Sequence, residues 1–182
     1  PREITLPDPR PAPEGAERLT IICSNNKIYL LPHTSVIEQI RLQAQEQALV
    51  VAKRQYRTFN PLAGEGVDRF LEEFNRRPLQ DPNRHFDIEM VNSGGNPRLR
   101  FQPREVAGED ERIVTAARSR FQNALRTINP QKYYLRFEVC ADSFDIYVTT
   151  RRIVSDMNLL AGWEPRSEGW TYTTHLGGEF RL

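Results

Sequence analysis

The stretch YYLRFEVCADSFDIYVTTRRIVSDMNLLAGWEP, residues 133–165, decides the fold because it shows a strand, a helix and a second strand in succession. Leu135, Phe137 and Val139 alternate with more polar residues, and this period of two is typical of a strand with two unequal faces. A helical segment follows to about Asn158, and extended residues come after it. The pattern predicts a strand–helix–strand unit near the end of the chain.

The corner between this strand and this helix, Ala141-Asp142-Ser143, is followed at once by a second carboxylate, Asp145. Two neighbouring carboxylates are a candidate pair for acid–base chemistry. A short polar side chain directly before a helix also accepts hydrogen bonds from the free amides of its first turn. We expect Asp142 to cap the helix, because it follows an apolar strand and precedes the helical residues.

A hairpin and a helix are predicted near the start of the chain. The apolar runs Leu19–Cys23 and Lys27–Leu31 flank a turn containing Asn25-Asn26, and asparagine tolerates the positive φ of a tight turn. Apolar residues then recur every 3.6 positions from near Val36, which predicts an amphipathic helix that ends within 51–56.

The remaining elements follow from the same periods and from glycine and proline as breakers. We predict a loop at 56–66, a helix at Val67–Arg76, a second hairpin formed by Phe86–Val91 and Pro97–Gln102, a helix at Glu109–Asn129, and short extended segments at 162–166, 170–174 and 179–182.

These elements predict an α+β fold: a two-layer arrangement of a mixed or antiparallel sheet with helices on one face. Residues 1–17 contain five prolines and are predicted to be an extended tether. Residues 18–182 are predicted to form a single domain, in which about 56–108 is an inserted helix and β-hairpin.

Composition limits the possible partners. The 182 residues include 25 basic and 24 acidic ones, so net charge gives no strong attraction to nucleic acid or anionic membranes. No apolar run approaches the roughly 20 residues that span a bilayer, and no signal-peptide pattern opens the chain. The start at Pro1 suggests a processed or excised protein, so the missing anchor says little about the parent protein. Two cysteines form at most one disulfide, and the compartment is therefore undetermined.

The usual signatures of catalysis and of metal or cofactor binding do not occur in the sequence. The three histidines, His33, His85 and His175, are far apart and lack ligand spacing, so no metal and no cofactor is expected. There is no GxSxG elbow or phosphate-binding loop, and we do not expect an enzyme. Cys23 and Cys140 each end an apolar strand, where a cysteine packs as a small core residue, so both are predicted to be unpaired.

Three pairs of basic residues are candidates for gripping phosphate: Arg151-Arg152, Arg76-Arg77 and Lys53-Arg54. On helices such pairs usually form a solvated face, and no interleaved aromatic residues accompany them. Nucleic acid is therefore not the expected partner, although clustering of the arginines on one face would favour it or a small anion.

The C-terminal residues are rich in aromatic side chains. Trp170, Tyr172 and Phe180 lie close to glycines in the sequence, and Gly177-Gly178 would permit close approach of another chain. These residues either form a last strand within the sheet or expose an edge to which a protein partner or a second copy adds a strand. The candidate binding residues are Asp142, Arg151, Arg152, Trp163, Trp170 and Tyr172.

Two stretches carry a family resemblance. RLTIICSNNKIYLLPHTSVIEQI, residues 18–40, resembles the opening hairpin and helix of ExbD/TolR-type periplasmic domains. Residues 133–165 are similar to the later unit of that family, and still closer to the soluble C-terminal part of related uncharacterised bacterial membrane-anchored proteins. The positions that match are Cys23, Pro32, Asp142, Tyr147, Arg151, Gly162, Trp163 and Glu164.

The resemblance implies a non-enzymatic interaction domain on the periplasmic side of a membrane, attached to an anchor. It covers about 60 of the 182 residues, and residues 56–108 have no counterpart in the short family domain. The proton-coupling aspartate of the family belongs to a transmembrane helix, so no energy-coupling residue carries over. The alternative hypothesis is an intracellular module that binds nucleic acid or a small anion through its arginine pairs.

Overall fold

The computed structural model describes residues 10–55 and 65–178. The predicted loop at 56–66 lies outside these residues except for its last two positions, which belong to a helix. The predicted strand at 179–182 and residues 1–9 of the predicted tether also lie outside them. Residues 10–16 contain neither helix nor strand.

The α+β class is confirmed, with one mixed and one antiparallel sheet in the described residues. The strands are β1 (Glu17–Ser24), β2 (Lys27–Leu30), β3 (Leu79–Gln80), β4 (Phe86–Ser93), β5 (Asn96–Pro103), β6 (Tyr133–Cys140), β7 (Ala161–Arg166) and β8 (Tyr172–His175). The helices are α1 (Thr34–Gln55), α2 (Glu65–Asn75), α3 (Glu111–Val114), α4 (Arg120–Arg126) and α5 (Phe144–Asp156).

The chain divides into two compact units. The first unit takes its described residues from Pro1–His33 and Glu105–Trp170, and the second from Thr34–Arg104 and Thr171–Leu182. The prediction of a single domain over 18–182 with an insertion at about 56–108 stays a prediction.

The first unit is built on a mixed sheet with the order β2-β1-β6-β7. β6 runs parallel to both neighbours, and its Phe137 lies opposite Ile21 of β1 and Trp163 of β7. The helix α5 packs on one face, where Phe137 and Tyr147 meet with their ring centroids 5.2 Å apart. The predicted strand–helix–strand unit is therefore confirmed as β6, α5 and β7.

Cys23 and Cys140 are buried and unpaired, as predicted. Cys23 lies opposite Val139 in the parallel ladder, and Cys140 is the next residue along β6. Since successive side chains leave opposite faces of a strand, the two thiols are directed to opposite faces of the sheet. Burial raises the pKa of both thiols, which keeps them protonated.

The β1–β2 hairpin is confirmed, and it corrects the expected role of Asp142. Asn25 and Asn26 both have a φ of 52°, as a tight hairpin turn requires. The Asp142 carboxylate accepts a hydrogen bond from the Asn25 amide at 3.2 Å, and no side chain caps α5. The prediction that Asp142 caps the helix is wrong, because its carboxylate is engaged by the hairpin turn.

The prediction of one helix over Glu109–Asn129 is also wrong, because this segment forms two separate helices, α3 and α4. The carboxylate of Glu109, only 4% exposed, accepts hydrogen bonds from the amides of Arg120 (2.8 Å) and Phe121 (3.2 Å) and from the Ser119 hydroxyl (2.6 Å). These bonds satisfy the first amides of α4, and the Ser119 hydroxyl caps the same helix by accepting from the Gln122 amide at 3.1 Å. Val114 of α3 and Phe121 and Leu125 of α4 still join the core.

The second unit is built on an antiparallel sheet with the order β3-β4-β5-β8, together with α1 and α2. The predicted hairpin is confirmed as β4 and β5, with Ile88 opposite Phe101 and Met90 opposite Leu99, all buried. The side chain of Asn75 holds the end of α2 on this sheet through both backbone groups of Met90.

Candidate functional site

The last strand of the second unit, β8, lies at an edge of its sheet. It pairs with β5 on one side, with Tyr172 opposite Phe101 and His175 opposite Arg98. In the described part of the chain no strand lies on its other side. The predicted extended segment at 170–174 therefore corresponds to a strand that begins two residues later, at an open edge.

The other three sheet edges in residues 10–55 and 65–178 are blunted. The outer side of β2 is covered where Ile28 exchanges two backbone hydrogen bonds with Glu109, at 2.9 and 3.1 Å. β7 carries Pro165, which has no amide hydrogen to offer a further strand. β3 is only two residues long. Of these four edges, β8 is the one that keeps a row of backbone N–H and C=O groups directed away from its own sheet.

The ladder between β5 and β8 shows which groups of β8 face outward. The Leu176 amide donates to the Pro97 carbonyl at 3.1 Å, so alternate residues from Leu176 backwards, Thr174 and Tyr172, bond to β5. The backbone groups of Thr173 and His175 are therefore directed away from β5, where an added strand would find them.

One arginine partly occupies this outer row. Arg98 donates from Nη2 to the Thr173 carbonyl (3.2 Å) and from Nε to the Thr173 hydroxyl (2.9 Å), while its Nη1 lies 2.9 Å from a ring nitrogen of His175. A long charged side chain across an edge is a common protection against uncontrolled strand pairing. We refer to these contacts of Arg98 with Thr173 and His175 as the Arg98 clasp.

The end of β8 is held by α1. The Gln45 side chain donates to the Leu176 carbonyl at 2.8 Å. Gly177 has a φ of +80°, and a Cβ there would collide with Arg41 and lie 2.9 Å from Gln45. The expectation that Gly177 accommodates another chain is therefore wrong, because its close approach is to α1.

The candidate aromatic residues near the C-terminus fall in different surroundings. Tyr172 packs edge-to-face on Phe101, with ring centroids 5.6 Å apart, and so supports β8 from within. Trp170 belongs to the first unit, where the Arg166 guanidinium lies 4.8 Å from its ring centroid. Phe180 lies outside the described residues.

Trp163 belongs to an aromatic cluster on the first unit. Its ring lies 5.3 Å from that of Tyr147 and 6.3 Å from that of Phe144. Trp163 and Phe144 are each 40% exposed, whereas Tyr147 is buried. The structure therefore places the candidate residue Trp163 in an exposed aromatic patch on the edge strand β7, which Pro165 blunts.

The candidate pair Arg151-Arg152 is divided between interior and surface. Arg152 is exposed, but Arg151 is 5% exposed and lines a cavity of about 370 Å³. The Arg151 side chain also lies beside the Tyr147 hydroxyl. Burial raises the pKa of Tyr147 to about 12, and the positive charge of Arg151 opposes this rise. The two arginines thus do not form a shared basic surface.

A charged network occupies part of the first sheet. Glu138 is 7% exposed and pairs with Arg166 at 2.7 Å and with Arg136 at 3.6 Å. Both arginines also pair with Glu164 on the neighbouring strand. Two cations and two carboxylates neutralise each other here, so the network leaves no unmatched charge for a ligand.

The described residues show no group of three or more His, Cys, Asp or Glu side chains that could hold a metal ion. His33 instead lies 2.8 Å from a carboxylate oxygen of Glu17. No helix within 10–55 and 65–178 is long and apolar enough to cross a membrane.

Comparison of the chain with known protein families, curated proteins and solved structures found no match. The resemblance to ExbD/TolR-type domains therefore stays a prediction.

Sequence reasoning missed the residues that shape both candidate sites. Arg98 has the pattern of a solvent-facing hairpin residue, and its contact with Thr173 spans 75 positions. Arg10, which lines the cavity with Arg151, falls in the predicted tether. In neither case does a local period reveal the partner, because each contact depends on how distant segments meet.

Proposed function

We propose that the chain is a non-enzymatic protein-interaction domain that takes up an extended strand along β8. The observation that carries the proposal is the state of the four sheet edges in the described residues. Three are covered, short or interrupted by proline, and β8 alone presents outward backbone groups in register. Strand addition uses such groups for affinity and the side chains beside them for specificity.

A second copy of the chain has the geometry to occupy this edge. If two β8 strands run antiparallel about Thr174, Thr173 of each lies opposite His175 of the other. Both residues direct their backbone groups outward, so each such pair would exchange two hydrogen bonds. The interface is self-complementary, and its short length predicts weak, concentration-dependent association.

The Arg98 clasp must open for this pairing, because it binds the Thr173 carbonyl. The clasp therefore sets the strength of the interaction without abolishing it. Replacing Arg98 with alanine should strengthen association by freeing one acceptor on the edge.

Sedimentation velocity over a wide concentration range tests the proposal, together with binding of a labelled peptide that copies residues 170–178, WTYTTHLGG. The wild-type chain should self-associate and bind the peptide. Thr173→Pro should lose both, since proline removes an outward amide without touching the bonds to β5. Thr173→Val is the matched control, because it keeps the amide and loses only the hydroxyl.

Circular dichroism should first show that Thr173→Pro retains the fold. A folded Thr173→Pro variant that associates as well as Thr173→Val would exclude pairing through β8. A wild-type chain that stays monomeric at the highest concentration and ignores the peptide would exclude it as well.

We further propose that this domain is the extracytoplasmic part of a membrane-anchored protein, as the ExbD/TolR resemblance implies. The support is the hairpin at 18–40 and the strand–helix–strand unit at 133–165, which have the expected elements. Sequencing the complete gene product tests this: a hydrophobic segment of roughly 20 residues before Pro1 supports it, and an uninterrupted polar region argues against it.

A further inference from the structure

A cavity lies beside Arg151 in the first unit, whereas β8 belongs to the second unit. It has a volume of about 370 Å³ and lies where α5 ends and β7 begins. It is lined by four polar residues, Arg10, Arg151, Ser155 and Asn158, and by residues 159–161. This volume lies within the range of pockets that hold small molecules.

Arg151 stands out among the buried charges of the described residues. Asp81 accepts hydrogen bonds from three backbone amides, Glu109 from two amides and a hydroxyl, and Glu138 pairs with two arginines. Arg151 forms no ion pair with any acidic side chain of the described residues, and its side chain contacts the Ala161 carbonyl and the Tyr147 hydroxyl instead. Asp81 also lacks an ion pair, but three backbone amides satisfy its carboxylate, whereas Arg151 has no comparable set of partners in the described residues.

The protein contacts of Arg151 leave much of its binding capacity unused. Its Nη2 donates to the Ala161 carbonyl at 3.4 Å, which is long for a hydrogen bond, and its side chain also meets the Tyr147 hydroxyl. A guanidinium carries five N–H donors in a planar fork and cannot lose its charge. A desolvated cation of this kind is costly unless an anion approaches it.

The lining of the cavity supplies further donors. Arg10 adds a second guanidinium, Ser155 a hydroxyl and Asn158 an amide. Two guanidinium groups with neutral donors match a doubly charged oxyanion, because each fork can bind two oxygens side by side. The cavity is larger than one such anion requires, and Leu159 offers apolar surface beside it.

We propose that this cavity binds the phosphate group of a small phosphomonoester, with Arg151 as the central ligand and Arg10 as the outer one. The ester's organic part lies against the apolar wall. The proposal does not depend on strand addition at β8, and either can fail without the other.

Titration calorimetry with glycerol 3-phosphate and with inorganic phosphate tests the site on the whole chain. Both probes should bind, the ester more tightly because it also fills the apolar part. Arg151→Gln should weaken binding by at least about tenfold. Arg152→Gln is the matched control: it removes an equal charge from the exposed neighbouring position and should leave binding within about twofold.

A second variant covers the case in which Arg151→Gln does not fold. Ser155→Glu places a carboxylate in the cavity, where it should pair with Arg151, raise the melting temperature without ligand and abolish binding of both probes. Absence of binding to the wild-type chain, or equal losses in Arg151→Gln and Arg152→Gln, would overturn the proposal. Binding that survives Ser155→Glu would overturn it too.

Discussion

The Asp142 carboxylate accepts a hydrogen bond from the Asn25 amide, 117 residues earlier in the chain, at 3.2 Å. The neighbouring Ser143 hydroxyl accepts from the Asn26 amide at 2.9 Å and donates to Asp142 at 2.8 Å. The start of α5 thereby holds the turn of the β1–β2 hairpin, and two segments distant in sequence fix each other. Asp142 has a structural role, although not the capping role that its position suggested.

Asp142→Ala should lower the free energy of unfolding by about 1 kcal/mol, the usual net value of one hydrogen bond. Amide hydrogen exchange distinguishes this role from helix capping. The Asn25 and Asn26 amides should exchange faster in the variant, while those in the first turn of α5 keep their rates. Faster exchange confined to α5 would show that the capping interpretation was right after all.

Glu109→Ala should lower the free energy of unfolding, measured by urea denaturation, by about 3 kcal/mol. The substitution leaves the Arg120 and Phe121 amides and the Ser119 hydroxyl without their acceptor. Glu111→Ala is the matched control two residues away. It removes an exposed carboxylate that accepts only from the Thr149 hydroxyl, and should cost less than about 1 kcal/mol. Equal losses would contradict the assignment of Glu109 as the residue that starts α4.

The chain should lose stability at alkaline pH. Burial raises the pKa of the Cys23 and Cys140 thiols and raises the pKa of Tyr29 and Tyr147 to about 12. The unfolded chain releases these protons at lower pH than the folded chain. Their stabilisation is therefore complete below the unfolded pKa values of 9.0 and 10.0 and declines as pH rises towards 12.

Tyr147→Phe isolates one of these groups. The free energy of unfolding, obtained by urea titration from pH 8 to 11.5, should fall more gently in this variant above pH 10, by up to about 1.4 kcal/mol per pH unit. Parallel curves for the variant and the wild type would show that Tyr147 titrates alike in both states.

The hairpins could be predicted because residues close together in the sequence determine them. Asn25 and Asn26 favour the positive φ of the first turn, and alternation sets which residues of β4 and β5 face inward. The break between α3 and α4 was not predictable, since an apolar stripe of helical period continues through it. The start of α4 is held by the side chain of Glu109, which the sequence pattern places in the first turn of a single helix.

The candidate sites were less accessible to sequence reasoning than the fold. The aromatic composition pointed to a C-terminal edge, and Tyr172 does belong to β8. The outward direction of Thr173 depends on its register with β5, which no pattern within 170–178 encodes. Arg151 read as half of a solvated pair, because its burial depends on the cavity that distant Arg10 helps to form.

Residue-resolved amide hydrogen exchange on β8, at low and at high protein concentration, tests strand addition most directly. The Thr174 and Leu176 amides bond to β5 and should be protected at both concentrations. The Thr173 and His175 amides should exchange fast in dilute solution and gain protection as the chain associates. If the chain associates while Thr173 and His175 continue to exchange fast, it does so through another surface, and the account of β8 is contradicted.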